Sequence, residues 1–159
     1  MSVNASQAKP SEPANRDYFR QTQTFRRPTI LVVEDHDDTR EMLRGLLEMW
    51  GCRVVEAWDG IKAVEVAIRE RPALILMDGS LPLLDGLGAT RRIRENGLLN
   101  QIKIVALNGW GSASYNAAAL TAGCDDCMDK PLDFERLQGH LVPLFAASSR
   151  VTLKGGQYR

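Results

Sequence analysis

From residue 29 onward the chain alternates short apolar runs with longer amphipathic stretches. Thr29–Val33, Ala73–Met77 and Ile102–Leu107 are nearly unbroken runs of Ile, Leu, Val and Ala. Runs of that length without a polar alternate mark strands buried on both faces. Arg53–Ala57 and Asp126–Met128 are more polar and read as edge strands. The first helix is expected from about Asp37 to Trp50, with Met42, Leu43, Leu46, Leu47 and Trp50 on one face and Gly51 at its end. Asp59 caps a second helix whose Ile61, Val64 and Ile68 are expected to face inward. A third helix is expected over Gly86–Asn96 and a fourth over Ser112–Ala122, stopped by Gly123. Asp133 caps a last helix carrying Phe134, Leu137 and Leu141, which Pro143 should kink or shorten. Five strands alternating with five helices predict an α/β fold, a doubly wound five-stranded parallel sheet with helices on both faces. Apolar strands at the centre, polar strands at the edges and right-handed crossovers together give strand order 2-1-3-4-5.

The pattern also divides the chain. Residues 1–28 are rich in Ser, Pro, Asn, Gln and Arg and read as a disordered or loosely docked arm. The arm is mildly basic and reads as a solvated leader, although Tyr18, Phe19 and Phe25 leave docking open. Residues 29–147 form the folded domain and 148–159 a tail. A length of 159 residues fits one domain with one sizeable core. The formal net charge is zero, so nothing overall calls for nucleic acid or an anionic membrane. No apolar stretch is long enough to span a bilayer, and the polar start lacks a signal-peptide core, so a cytoplasmic location is expected. Cys52, Cys124 and Cys127 are too few and too irregular for a disulfide framework. Cys124 and Cys127 match C-x-x-C, but they follow a helix instead of opening one, which disfavours a redox dithiol.

Chemistry gathers at the ends of the predicted strands. The first apolar run ends in Glu34-Asp35, the third strand in Asp78, and the fifth leads into Lys130-Pro131. In an open parallel sheet these ends form the ligand-binding edge. Clustered carboxylates suit a hard cation such as Mg²⁺. An aspartate beside a cation and a lysine can attack a phosphoryl group. Taken singly, each residue has a plainer reading: Glu34 and Asp35 as a helix-start pair, Asp78 as a turn residue, Lys130 as a surface lysine. No glycine fingerprint of a P-loop or dinucleotide site follows the first strand.

Taken in order, ILVVEDHDDTR (30–40), GCRVVEAWDGIKAVEVA (51–67), LILMDGSLPLLDG (74–86), IKIVAL (102–107) and AGCDDCMDKPLD (122–133) resemble the receiver domain of two-component response regulators. The resemblance covers about residues 29–147 and implies the flavodoxin-like receiver fold. It implies a signalling module and not an enzyme, with Asp78 taking a phosphoryl group from a histidine kinase or a histidine phosphotransfer protein. It further implies Mg²⁺ bound by Asp35, Asp78 and the backbone carbonyl of Ser80, with Glu34 helping through water. Lys130 would pair with a phosphoryl oxygen, and the Lys130–Pro131 bond would be cis. The output would be a protein partner on the face of the fourth helix, fifth strand and fifth helix. Direct nucleic-acid binding and membrane attachment are not expected.

Two positions depart from the family. Asn108 stands at the end of the fourth strand, where a Ser or Thr hydroxyl usually contacts the phosphoryl group. Cys127 stands in the fifth strand, where a Tyr or Phe ring usually swings inward. A muted response to phosphorylation is therefore expected. The alternative function is a phosphorylation-independent interaction module on the same fold. A phosphatase is disfavoured, because Ser80 stands two residues after Asp78 where a second acid would be needed. Trp110 is expected either over the site or facing a partner.

Overall fold

The structure is a computed structural model and describes residues 26–109 and 111–148. Most of the arm, Trp110 and the tail from residue 149 lie outside the described residues. The elements run β1 (Thr29–Val33), α1 (Asp37–Met49), β2 (Arg53–Ala57), α2 (Gly60–Glu70), β3 (Leu74–Asp78), α3 (Gly86–Glu95), β4 (Lys103–Asn108), α4 (Ala113–Ala122), β5 (Asp126–Asp129) and α5 (Phe134–Ser148). The five strands are parallel and ordered β2-β1-β3-β4-β5, as the hydrophobic pattern predicts. All five residues of β3 are buried, whereas β2 and β5 at the edges are only partly so.

Successive strand side chains point to opposite faces, and two cores result. Ile30, Val32, Leu74, Leu76, Val105 and Leu107 pack under α1 and α5 with Leu43, Leu47, Leu137 and Leu141. Leu31, Val33, Ile75, Met77, Ile104 and Ala106 pack under α2, α3 and α4. No described helix is long and apolar enough to cross a membrane.

The helices differ from expectation in the faces of α1 and α2 and in the length of α5. In α2 the inward face is Gly60, Ala63, Val66 and Ala67, while Ile61 and Ile68 are 38% and 48% exposed and Val64 is half-buried. Small residues let the helix lie close to the sheet and to α3, and the larger side chains point outward. In α1, Leu43 and Leu47 carry the buried face and Met42 is exposed. In α5, Pro143 does not end the helix, which continues to Ser148. Leu144 and Phe145, just past the proline, pack on the α1 side of the core and offset the lost backbone hydrogen bond. Of the apolar residues recurring in α5, Leu137 and Leu141 are buried and Phe134 is 45% exposed.

The loop after β3 is held close to the sheet by a glycine. A Cβ on Gly86 would lie 2.1 Å from the carbonyl oxygen of Asp78. Gly86 N–H also donates to the Gly79 carbonyl at 3.1 Å, and Asp85 caps α3 by accepting from Gly88 N–H. Gly86→Ala should therefore push α3 away from Asp78 and cost about 1–3 kcal/mol through overpacking. Urea unfolding measures this loss; an unchanged midpoint would contradict the close approach.

Candidate functional site

The carboxyl ends of β1, β3 and β4 and the start of α4 surround a cleft of about 330 Å³. Asp35, Asp78, Ser80, Asn108 and Lys130 all line it. Asp35, Asp78 and Lys130, expected at the cleft from their strand ends, and Ser80 and Asn108, placed there by the resemblance, are therefore brought together. Asp78 is the last residue of β3 and is only 6% exposed. Its position follows from register: Asp78 pairs with Leu107 on β4, and Gly79 N–H donates to the Leu107 carbonyl.

Lys130 is the centre of the charge arrangement. Its Nζ lies 2.7 Å from Glu34 Oε2 and 3.2 Å from Asp78 Oδ1. The Lys130 backbone N–H donates to the Asn108 carbonyl at 2.7 Å, which fixes the base of the side chain to the end of β4. The Lys130–Pro131 peptide is cis, as the resemblance implies. Glu34 is 1% exposed and also accepts from the His36 backbone N–H at 3.2 Å. Arg40 donates to the Glu34 carbonyl at 2.8 Å, tying α1 to the end of β1.

The electrostatics follow from crowding. Burial raises the pKa of the Asp78 carboxyl, the charge of Glu34 raises it further, and Lys130 opposes both. Burial alone would lower the pKa of Lys130, but its bond to Glu34 and the charges of Asp78 and Glu34 outweigh that and raise it. Asp35 is exposed at the cleft mouth, where its Oδ1 meets His36 Nδ1 at 3.2 Å. The hydrogen bond and charge of Asp35, then those of Glu34, raise the His36 pKa. His36 is a cleft residue that the strand pattern does not single out.

The donor set fits Mg²⁺. Glu34, Asp35 and His36 present ligand-type atoms within 4.8 Å of one another, and Asp78 adds a carboxylate in the same cleft. Oxygen donors dominate this set, as a hard cation requires.

Asn108 ends β4 and is 5% exposed. Its Nδ2 donates to Asn116 Oδ1 on α4 at 3.3 Å. Cys127 is partly buried, and its Sγ lies 3.7 Å from the Asn116 carbonyl. Cys52, Cys124 and Cys127 are all free thiols. The strand-end pattern missed Tyr115, which enters the same cleft from α4. Its signal is faint, because α4 is Ala-rich and lacks an apolar stripe that would show which face turns inward.

Comparison with known proteins agrees with this geometry. The family model of the response regulator receiver domain matches residues 30–142. Response regulator MprA of Mycobacterium leprae is 39% identical over 115 residues, 72% of this chain and 50% of that protein. The chain thus spans about half the length of the curated relatives it matches. Among solved structures, the receiver domain of sensor histidine kinase PA1611 from Pseudomonas aeruginosa is 36% identical with a TM-score of 0.69, covering 76% of this chain and 99% of that one. That receiver domain carries a magnesium ion coordinated in its active site cleft. The co-crystal of the Saccharomyces cerevisiae histidine phosphotransfer protein Ypd1 with the receiver domain of Ssk1 matches at 26% identity and a TM-score of 0.71, covering 81% of this chain and 96% of that one. With its 2-1-3-4-5 sheet and its acidic cleft closed by a lysine, the chain belongs to the response regulator receiver domains of two-component systems.

Proposed function

We propose that this chain accepts a phosphoryl group on Asp78 from the phosphohistidine of a histidine kinase or a histidine phosphotransfer protein. The carrying observation is Lys130 Nζ bridging buried Glu34 and Asp78 inside the cleft. The Asp78 carboxylate attacks phosphorus, a P–O bond forms, and the P–N bond to the donor imidazole breaks with its electron pair left on nitrogen. Burial raises the basicity of the attacking oxygen, and Lys130 favours its ionised form. After transfer, Lys130 stands beside the new negative charge as a point cation.

Asp35, Asp78 and the Ser80 carbonyl would hold Mg²⁺, with Glu34 acting through water, and the ion would neutralise charge on the phosphoryl oxygens. The magnesium-bearing cleft of the PA1611 receiver and the phosphotransfer partner in the Ypd1–Ssk1 crystal support this reading. The product is a signalling state that a protein partner reads on the face of α4, β5 and α5. Asn108 and Cys127 make the switch atypical, since neither is the usual hydroxyl or ring.

Incubation with acetyl phosphate and Mg²⁺, followed by intact-mass measurement, tests the proposal. The full chain should gain one phosphoryl mass, and Asp78→Asn should gain none. No gain in the wild-type chain would favour the phosphorylation-independent interaction module instead.

A further inference from the structure

The cleft contains a hydroxyl that phosphoryl acceptance as described does not use. Tyr115, in the first turn of α4, sends its ring into the core shared by Ala106, Ala119 and Cys124. Its hydroxyl oxygen is buried and has no hydrogen-bond partner among the described residues. Buried tyrosine hydroxyls normally find a partner, and leaving one unmade is unfavourable. The ring is admitted by the residue next to the acceptor. A Cβ on Gly79 would lie 2.4 Å from the Tyr115 oxygen and 2.7 Å from its ring carbon Cζ. Gly79 directly follows Asp78, so the phenol occupies space that any larger residue there would fill. Burial, with the nearby charges of Cys124 and Asp78 adding to it, pushes the phenol pKa well up, which keeps the group a donor.

We propose that Tyr115 is the phosphoryl-sensing hydroxyl of this domain: on Asp78 phosphorylation its O–H donates to a phosphoryl oxygen, gaining the partner it lacks. This rests on Asp78 being the phosphoacceptor. One side chain then supplies both parts missing from Asn108 and Cys127, the hydroxyl and the ring. The Asn108 amide donates to the Asn116 side chain, one residue further along the same turn of α4. Cys127 Sγ also meets that turn at the Asn116 carbonyl. A pull on Tyr115 therefore acts on the turn that joins β4, α4 and β5, and the output passes through the start of α4 instead of through a β5 ring.

The test uses the full chain, Mg²⁺ and beryllofluoride as the phosphoryl mimic. Tyr115→Phe should fold with an unchanged or raised melting temperature, because it deletes only an unpartnered hydroxyl. It should still gain phosphoryl mass from acetyl phosphate, but bind beryllofluoride about tenfold more weakly. Backbone NMR shifts on binding should shrink at Asn108, Tyr115 and Asn116. Wild-type affinity and wild-type shifts in Tyr115→Phe would overturn the assignment and leave Asp78 as acceptor untouched. Failure of the wild-type chain to bind beryllofluoride or take up a phosphoryl group would overturn both. A lower melting temperature for the metal-free Phe variant would also overturn it, since the hydroxyl would then already have a partner.

Discussion

Lys130→Ala should destabilise the domain by about 3 kcal/mol as well as weaken its response to phosphorylation. From the sequence alone, Lys130 reads as a phosphoryl-pairing side chain whose removal spares the fold. The structure adds a second duty. Glu34 is 1% exposed and has Lys130 Nζ at 2.7 Å, so deleting the ammonium strands a buried carboxylate beside Asp78. Removing one partner of a buried pair typically costs about 3–5 kcal/mol. Lys130 is itself partly exposed, which places the loss at the lower end. The melting temperature should fall by roughly 15 °C. Because the folded pKa of Lys130 is raised, its contribution is complete below the ordinary lysine value of about 10.4 and is lost as pH rises through the folded value. The wild-type and variant curves should thus stay apart across neutral pH and converge as pH rises into strong alkali. Adding Glu34→Gln to Lys130→Ala should restore much of the stability, since the stranded charge is gone, without restoring the response. Equal urea midpoints for wild type and Lys130→Ala would show that the pair contributes nothing.

How much of this the sequence disclosed depended on how unambiguous each hydrophobic signal was. Strand order was legible because burial on two faces demands unbroken apolar runs, and only β1, β3 and β4 have them. The inward face of α2 was not, because two stripes share its helical period. Ile61, Val64 and Ile68 form one, and Gly60, Ala63 and Ala67 form the other. Hydrophobic weight favours the first; close packing of the helix selects the second. Pro143 does not shorten α5 for a similar reason: local chemistry argues against residues beyond it that Leu144 and Phe145 hold in place by burial.

The site was legible where it sits on strand ends and hidden where it comes from a helix. Glu34, Asp35, Asp78, Asn108 and Lys130 all occupy or follow the carboxyl ends of strands, so the topology alone gathers them. Tyr115 reaches the cleft only because Gly79 leaves room across the gap between β3 and α4, a relation between residues far apart in the chain. Cys127→Tyr, an obvious way to restore the family ring, would put a second aromatic into the core that Tyr115 already fills.

Asp78→Asn should raise the melting temperature of the metal-free protein at neutral pH. Burial, then the charge of Glu34, makes the ionised Asp78 carboxylate unfavourable in the fold, and Lys130 offsets only part of this. A carboxyl whose folded pKa lies above its unfolded value binds its proton more tightly when folded. Its ionisation therefore subtracts stability as pH rises past about 3.9, and the penalty vanishes well below that value, where both states are protonated. Asparagine removes the charge at nearly the same shape. The gain should be on the order of 1 kcal/mol, or roughly 4 °C, at pH 7 in EDTA, and much smaller near pH 3. Mg²⁺ should relieve the same repulsion in a different way. At about ten times its dissociation constant it should stabilise the wild-type chain by roughly 1.4 kcal/mol. Asp35→Ala and Asp78→Asn should each abolish that response, the first by removing a ligand and the second by removing a ligand and the repulsion together. If Asp78→Asn instead melts below wild type in EDTA, the Lys130–Asp78 pair outweighs the crowding. If saturating Mg²⁺ leaves the wild-type curve unmoved, these carboxylates do not form the cation site.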